Sequence, residues 1–159
     1  MRHKKRSIAI ILSLLMLFCA VPAYAEDGKE ADTFDKWKFC EVLQQNTQPT
    51  EIHFVEELPE GAKELANISQ AENGKIYLYQ DKTDESKYYV FNKKGNKIYF
   101  PENSSRLFAR EDLGFRNLTS LTFKGVNTEQ VTDMHEMFSH CFALRKLDVT
   151  SYSDRKSVV

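Results

Sequence analysis

Leu118-Thr119-Ser120-Leu121-Thr122-Phe123 and, 26 positions later, Leu144-Arg145-Lys146-Leu147-Asp148-Val149 share one pattern, L-x-x-L-x-φ with φ apolar. The reading of this stretch decides the fold, because internal repetition points to a different architecture from an ordinary strand–helix–strand unit. Between the two copies, Val131-Thr132-Asp133-Met134-His135-Glu136-Met137-Phe138 has apolar residues at 131, 134, 137 and 138. That spacing predicts a helical turn, with Thr132 or Asp133 able to cap it. A weaker copy precedes both: Ser104-Ser105-Arg106-Leu107-Phe108 takes the part of the Met137-Phe138 turn, and Phe115 and Leu118 lead into the strand.

In physical terms this is the pattern of a leucine-rich solenoid. Each unit contributes one short strand, whose alternate residues point inward, and one helical turn that closes the back. A unit of this size cannot bury its own apolar face, so its neighbours must stack on it. The alternative is a single ordinary helix between two strands of one compact domain. On the repeat reading the inward positions are Leu118, Leu121, Phe123, Val131, Met134, Met137, Phe138, Cys141, Leu144, Leu147 and Val149. The outward strand positions, available to a ligand, are Thr119, Ser120, Thr122, Arg145, Lys146 and Asp148.

Val131-Thr132-Asp133-Met134-x-x-Met137-Phe138-x-x-Cys141-x-x-Leu144-x-x-Leu147-Asp148-Val149-Thr150 resembles the repeat of the BspA-like leucine-rich-repeat surface proteins of bacteria. The consensus of that repeat is close to V-T-x-M-x-x-M-F-x-x-C-x-x-L-x-x-L-D-[LV]-[ST]. The strands upstream and the Ser104-to-Phe108 stretch also resemble the segment that leads into the first repeat of the family, so the likeness covers residues 51–153. It implies that Cys141 is a small buried packing residue with a free thiol, and that the protein adheres to host or microbial surface molecules. Two departures stand out. The stretch from Phe108 to Leu118 is four residues longer than that from Phe138 to Leu144, and after Tyr152 no further Val-Thr-x-Met unit follows. Asp154-Arg155-Lys156-Ser157-Val158-Val159 is what the DNA string GATCGGAAGAGCGTCGTGTAG encodes. That string matches a library adapter, so residues 154–159 are expected to be a non-native tail on an N-terminal fragment.

Upstream, residues 51–103 read as a small antiparallel β-rich module. Glu51 to Val55 is one predicted strand. After the Asn73-Gly74 turn, Lys75-Ile76-Tyr77-Leu78-Tyr79-Gln80, Lys87-Tyr88-Tyr89-Val90-Phe91-Asn92 and Lys97-Ile98-Tyr99-Phe100 form a predicted meander, with Lys93-Lys94-Gly95-Asn96 as a hairpin turn and Pro101 as the stop. Tyr77, Tyr79, Tyr88, Tyr89 and Tyr99 are either an aromatic platform for sugars or peptides, or cross-strand pairs. Residues 26–50 form a poorly defined lead segment, in which Phe34, Trp37, Phe39 and Val42-Leu43 suggest one short amphipathic helix.

The start of the chain reads as an export signal. Arg2, Lys4, Lys5 and Arg6 precede an apolar run over residues 8–21, and Pro22-Ala23-Tyr24-Ala25 offers a cleavage site before Glu26. An apolar run of about 14 residues falls short of the ~20 that span a bilayer, and bulky Phe18 before Cys19 argues against lipid attachment. Removal of residues 1–25 leaves 18 basic and 23 acidic side chains, a net charge of −5. Neither that chain nor the full 159 residues, at net −1, makes an electrostatic case for nucleic acid. Cys40 and Cys141 are too few for a disulfide scaffold.

Catalytic patterns are weak. His135-Glu136-Met137-Phe138-Ser139-His140 differs from H-E-x-x-H because its second histidine lies five residues on, about 140° around a helix. No Walker loop, G-x-S-x-G or Cys-x-x-Cys occurs. Asn67, Asn103 and Asn117 head glycosylation sequons, which carry little meaning in a bacterial protein.

The fold class expected is therefore α+β: a signal peptide (1–25), the lead segment, the antiparallel β-rich module, and the start of a truncated leucine-rich-repeat solenoid (104–153). The function expected is non-catalytic binding by an exported cell-surface protein. Its partner is a surface protein or glycan, with no cofactor, no metal, no nucleic acid and no membrane span after cleavage. The competing reading is a targeting or spacer region of a larger secreted enzyme.

Overall fold

The computed structural model describes residues 32–113 and 115–150. The expected signal peptide, the beginning of the lead segment and the expected non-native tail at 154–159 lie outside the described residues.

Among the described residues the chain first forms one helix, α1 (Lys36–Gln44). Asp35 starts it: its backbone is extended, and its carboxylate accepts hydrogen bonds from Trp37 N at 2.8 Å and Lys38 N at 3.2 Å. Two of the N–H groups that a helix leaves without an internal partner are satisfied in this way. Phe39, Cys40 and Leu43 form the buried stripe. Trp37, expected in that stripe, is instead 67% exposed.

Eight strands follow: β1 (Glu51–Val55), β2 (Lys63–Asn67), β3 (Ile76–Gln80), β4 (Lys87–Asn92), β5 (Ile98–Tyr99), β6 (Ser120–Phe123), β7 (Val126–Asn127) and β8 (Lys146–Asp148). Six of them make one mixed sheet in the order β2-β3-β4-β1-β6-β8, and β5 pairs with β7 in a separate parallel ladder. Only β2-β3 and β3-β4 are antiparallel. β1 is parallel to β4 on one side and to β6 on the other, and β8 is parallel to β6.

This corrects the expected architecture. The fold is mostly β with one α-helix, and no separate antiparallel module leading into a solenoid of repeats is seen among the described residues. The reason lies in register. Ile52 sits opposite Tyr88 and Leu121, and Phe54 opposite Val90 and Phe123, so β1 is the shared seam of one apolar layer. A boundary between residues 51–103 and 104–153 would cut that layer in two. The third strand of the expected meander also leaves its place beside β4. After the turn at Gly95, whose φ of 72° suits glycine, Ile98 and Phe100 drop into the core. Their amides donate to Gly125 O and Asn127 O.

The core is a phenylalanine lattice. Phe34, Phe54, Phe100, Phe108 and Phe123 meet at centroid distances of 5.1–5.8 Å, mostly edge to face or tilted. Such pairs contribute about 0.5–1.5 kcal/mol each beyond their buried area. Phe138 lies parallel to Phe108 at 5.8 Å and closes the lattice at its far end.

Residues 131–138 do not form the predicted helix. The Asp133 carboxylate accepts from His135 N at 2.8 Å, and Glu136 and His140 adopt left-handed backbone at φ 52° and 64°. An α-helix cannot continue through such residues. The carbonyls that a helix would use internally are taken by the neighbouring segment: Ser104, Arg106 and Phe108 donate their amides to the oxygens of Asp133, His135 and Met137. The segments 103–108 and 133–138 thus lie side by side, 30 residues apart in sequence, with Arg106 itself at φ 53° opposite Glu136.

No helix among the described residues is long and apolar enough to cross a membrane.

Candidate functional site

Side chains alternate across a strand, so the sheet has one face in the phenylalanine core and one facing away from it. On the second face the pairing aligns one residue from each of the six strands: Glu64, Tyr79, Tyr89, His53, Thr122 and Asp148. A shorter row runs beside it on one side, Lys87, Glu51, Ser120 and Lys146. On the other side lie Tyr77, Phe91 and Val55.

His53 is the hub. Its Nε2 lies 2.9 Å from Glu51 Oε2 and its Nδ1 2.9 Å from Thr122 Oγ1. Burial holds the imidazole below its ordinary pKa of 6.5, against the opposing pull of Glu51. Neutral His53 therefore donates from Nε2 to the carboxylate and accepts the Thr122 hydroxyl at Nδ1. The contact with Glu51 is a hydrogen bond at neutral pH, although its distance alone would suit an ion pair. Glu51 also meets Lys87 Nζ at 3.3 Å, and these donors keep its carboxyl below the usual range.

The tyrosines are fixed by acids. Tyr79 donates to Glu64 at 3.2 Å and Tyr89 donates to Asp81 at 2.9 Å. Burial, reinforced by the bond to Asp81, pushes the Tyr89 phenol up to about 12. Lys93 bridges Glu64 at 2.6 Å and stands 3.9 Å from the centre of the Tyr77 ring, a close cation–π contact. Tyr77, Tyr79 and Tyr89 share this face with Phe91. Tyr88 points into the core with its hydroxyl donating to Thr47 O, and Tyr99 belongs to β5.

The outward positions named from the sequence fall as follows. Ser120, Thr122, Lys146 and Asp148 lie on this face by register; Ser120 and Thr122 are buried, Asp148 is half-buried and Lys146 exposed. Thr119, half-buried, spends its hydroxyl on Thr50 O, and Arg145 is exposed. Of the inward positions, Leu118, Leu121, Phe123, Val131 and Met137 are buried, and Phe138, Cys141 and Leu144 pack partly buried against them. Met134, Leu147 and Val149 are exposed. His53, Glu51, Lys87, Glu64 and Lys93 were not singled out from the sequence. The alternation in Glu51-Ile52-His53-Phe54-Val55 was the available signal, since it puts Glu51 and His53 on one face of a strand.

Thr122, His53 and Glu51 stand in the order hydroxyl, imidazole, carboxylate, but the setting does not suit nucleophilic catalysis. Thr122 is buried in mid-strand between two paired neighbours, so nearby backbone N–H groups lie in the sheet plane. They cannot turn toward Oγ1 to hold an oxyanion. The trio instead ties β1 to β6 across this face. Among the described residues no group of three or more His, Cys, Asp or Glu side chains gathers to hold a metal ion, and His135 and Glu136 are exposed. Compared with known proteins, the chain matches no family model, no curated protein and no solved structure.

Proposed function

We propose that this is an exported bacterial cell-surface protein that adheres, without catalysis, to a host or microbial surface molecule. Its contact surface is the sheet face away from the core. The observation that carries this reading is the unbroken row Glu64-Tyr79-Tyr89-His53-Thr122-Asp148, whose buried members Tyr79, Tyr89 and Thr122 support a border that a partner can reach: exposed Glu64 and Lys146 and half-buried Tyr77, Phe91, Glu51, Lys87 and Asp148. Adhesive surfaces favour such aromatic and hydrogen-bonding groups, held rigid before the partner arrives. The basic start followed by an apolar run and Ala23-Tyr24-Ala25 supports export. The likeness of residues 131–150 to the BspA-like repeat supports a surface location and an adhesive role.

The test is a solid-phase screen of the mature chain against immobilised matrix proteins and glycans, repeated with the double variant Lys87→Glu/Lys146→Glu. Both lysines border the row, so the variant is expected to lower binding roughly tenfold or more, which corresponds to about 1.4 kcal/mol. Binding to nothing in the screen, or binding equal in both chains, sinks the reading.

A further inference from the structure

A concave feature elsewhere in the fold shares no residue with that face, and its reading does not rest on the adhesion reading. It is a cleft of about 490 Å³ between the start of α1, the segment after β5 and Gln130, a size in the range of small-ligand sites. Its walls are tied down by backbone bonds: Phe34 N to Tyr99 O, Asp35 N to Ile68 O, Gln70 N to Thr33 O, and Thr132 N to Glu102 O.

The lining combines one large exposed ring with side chains whose remaining capacity can be counted. Trp37 is 67% exposed, with Lys36 Nζ 5.2 Å from its ring centre. Gln130 spends its Nε2 on Thr33 Oγ1 at 3.0 Å and Phe100 O at 2.8 Å, so a carbonyl oxygen is what it can offer a ligand. Asn103 is the reverse. Its Oδ1 accepts from Lys36 Nζ, Ser105 N and Ser105 Oγ, so it can offer the two N–H donors of Nδ2. Glu102, exposed on the rim, adds an acceptor.

An acceptor, a donor pair, a carboxylate and an indole face together match a ring with hydroxyls on its edge and C–H groups on its face. The two carboxylates, Asp35 and Glu102, outnumber the single ammonium of Lys36, which disfavours an anion. A peptide backbone fits poorly, because the wall amides named above are already paired and offer no free strand edge. We propose that the cleft binds a neutral sugar residue of a glycan, stacked on Trp37 and held at its hydroxyls by Asn103, Gln130 and Glu102.

Trp37 is the only tryptophan in the chain, so its fluorescence reports on this cleft and on the smaller hollow it also lines with Cys40, Leu107 and Arg110; the Asn103 and Gln130 variants below tell the two apart. The mature chain would be titrated with maltotriose, cellotriose and tri-N-acetylchitotriose, with sialyllactose as the anionic counterpart. The expected result is a saturable change in emission with at least one neutral trisaccharide and none with sialyllactose. Calorimetry on the same sugar should then show binding lost in Trp37→Ala, largely kept in Trp37→Phe, and weakened roughly tenfold or more in Asn103→Ala/Gln130→Ala, the effect of about two lost hydrogen bonds to a ligand. Circular dichroism identical to the parent confirms that these surface variants fold. No saturable response to any neutral trisaccharide overturns the proposal, as does binding that survives Trp37→Ala in calorimetry or a preference for the anionic sugar. Each can occur while the Lys87→Glu/Lys146→Glu result stands, so the two readings fail separately.

Discussion

The two copies of L-x-x-L-x-φ have the same sequence pattern and unequal fates. In the first, Leu118, Leu121 and Phe123 are completely buried. In the second, Leu144 is half-buried, Leu147 is 44% exposed and Val149 is 42% exposed. Both copies form strands, β6 and β8, aligned residue for residue from Ser120 opposite Lys146 to Thr122 opposite Asp148. The difference is what lies beyond each. β6 has β1 on one side and β8 on the other, whereas β8 has a partner only in β6 among the described residues. An apolar pattern thus selects the strand and the inward face, and the neighbouring strand supplies the burial. The opposite edge of the sheet is built differently: β2 carries exposed Lys63 and Glu64 and a register shift between Glu64 and Ala66, devices that blunt a free edge.

Truncating the same position in each copy should have very unequal effects. Leu121→Ala should cost about 2–5 kcal/mol, as for a fully buried leucine. Leu147→Ala should cost under about 1 kcal/mol, since much of its side chain already meets water. Urea denaturation of the two variants decides, and equal losses would mean that burial in the second copy is greater than its exposure implies.

A smaller effect tests how the first copy is tied to the sheet face. Folding holds His53, which bonds Thr122 of β6, below its ordinary pKa of 6.5. Below that pH the unfolded chain takes up the proton first, so stability should fall as the pH drops from about 6.5 toward the folded-state value, and stay level above it. Glu51 is also held low, but its loss begins only near its ordinary 4.5, which separates the two windows. His53→Gln should remove the upper slope and leave the lower one. A slope unchanged in that variant would show that another group titrates.

The smallest effect concerns the thiols. Burial pushes both Cys40 and Cys141 up to about 11. Neither should be alkylated by iodoacetamide at neutral pH in the native protein, because the thiolate is the reactive form. As urea is raised, Cys141, half-buried beside the second copy with its thiol donating to Phe108 O, should react before Cys40, on the buried stripe of α1. Simultaneous labelling would indicate that the end of the sheet opens only with the whole.

Much of the secondary structure was legible. The aromatic and β-branched runs at 76–80 and 87–92 are strands, and a short helix forms where Phe34, Trp37, Phe39 and Val42-Leu43 suggested one, although its buried stripe is Phe39, Cys40 and Leu43 and its cap at Asp35 was not anticipated. β2 was not legible: Lys63-Glu64-Leu65-Ala66-Asn67 has weak strand propensity and forms because it pairs with the tyrosine strand β3, Glu64 opposite Tyr79. The helix expected at 131–138 failed because helical spacing and a stacked turn both bury Val131 and Met137, although the turn leaves Met134 exposed, and only the adjacent segment 103–108 decides between them. The candidate surface was legible only in part. Strand alternation places Glu51 with His53, but nothing local brings Thr122 to within 2.9 Å of that imidazole across 69 residues.

The short-range features are local properties of the chain: the apolar spacing of each strand, the turn at Gly95, the cap at Asp35 and the duplication of one motif. These depend on backbone stereochemistry and on side chains a few residues apart. The tertiary structure alone decided which strands are neighbours, that β1 joins the tyrosine strands to the repeated ones, and which copy of the motif is buried. Those outcomes depend on fitting large rings such as Phe54, Phe100, Phe108 and Phe123 into one dense layer. Many orders of the same strands satisfy the local pattern, and close packing of the rings selects among them.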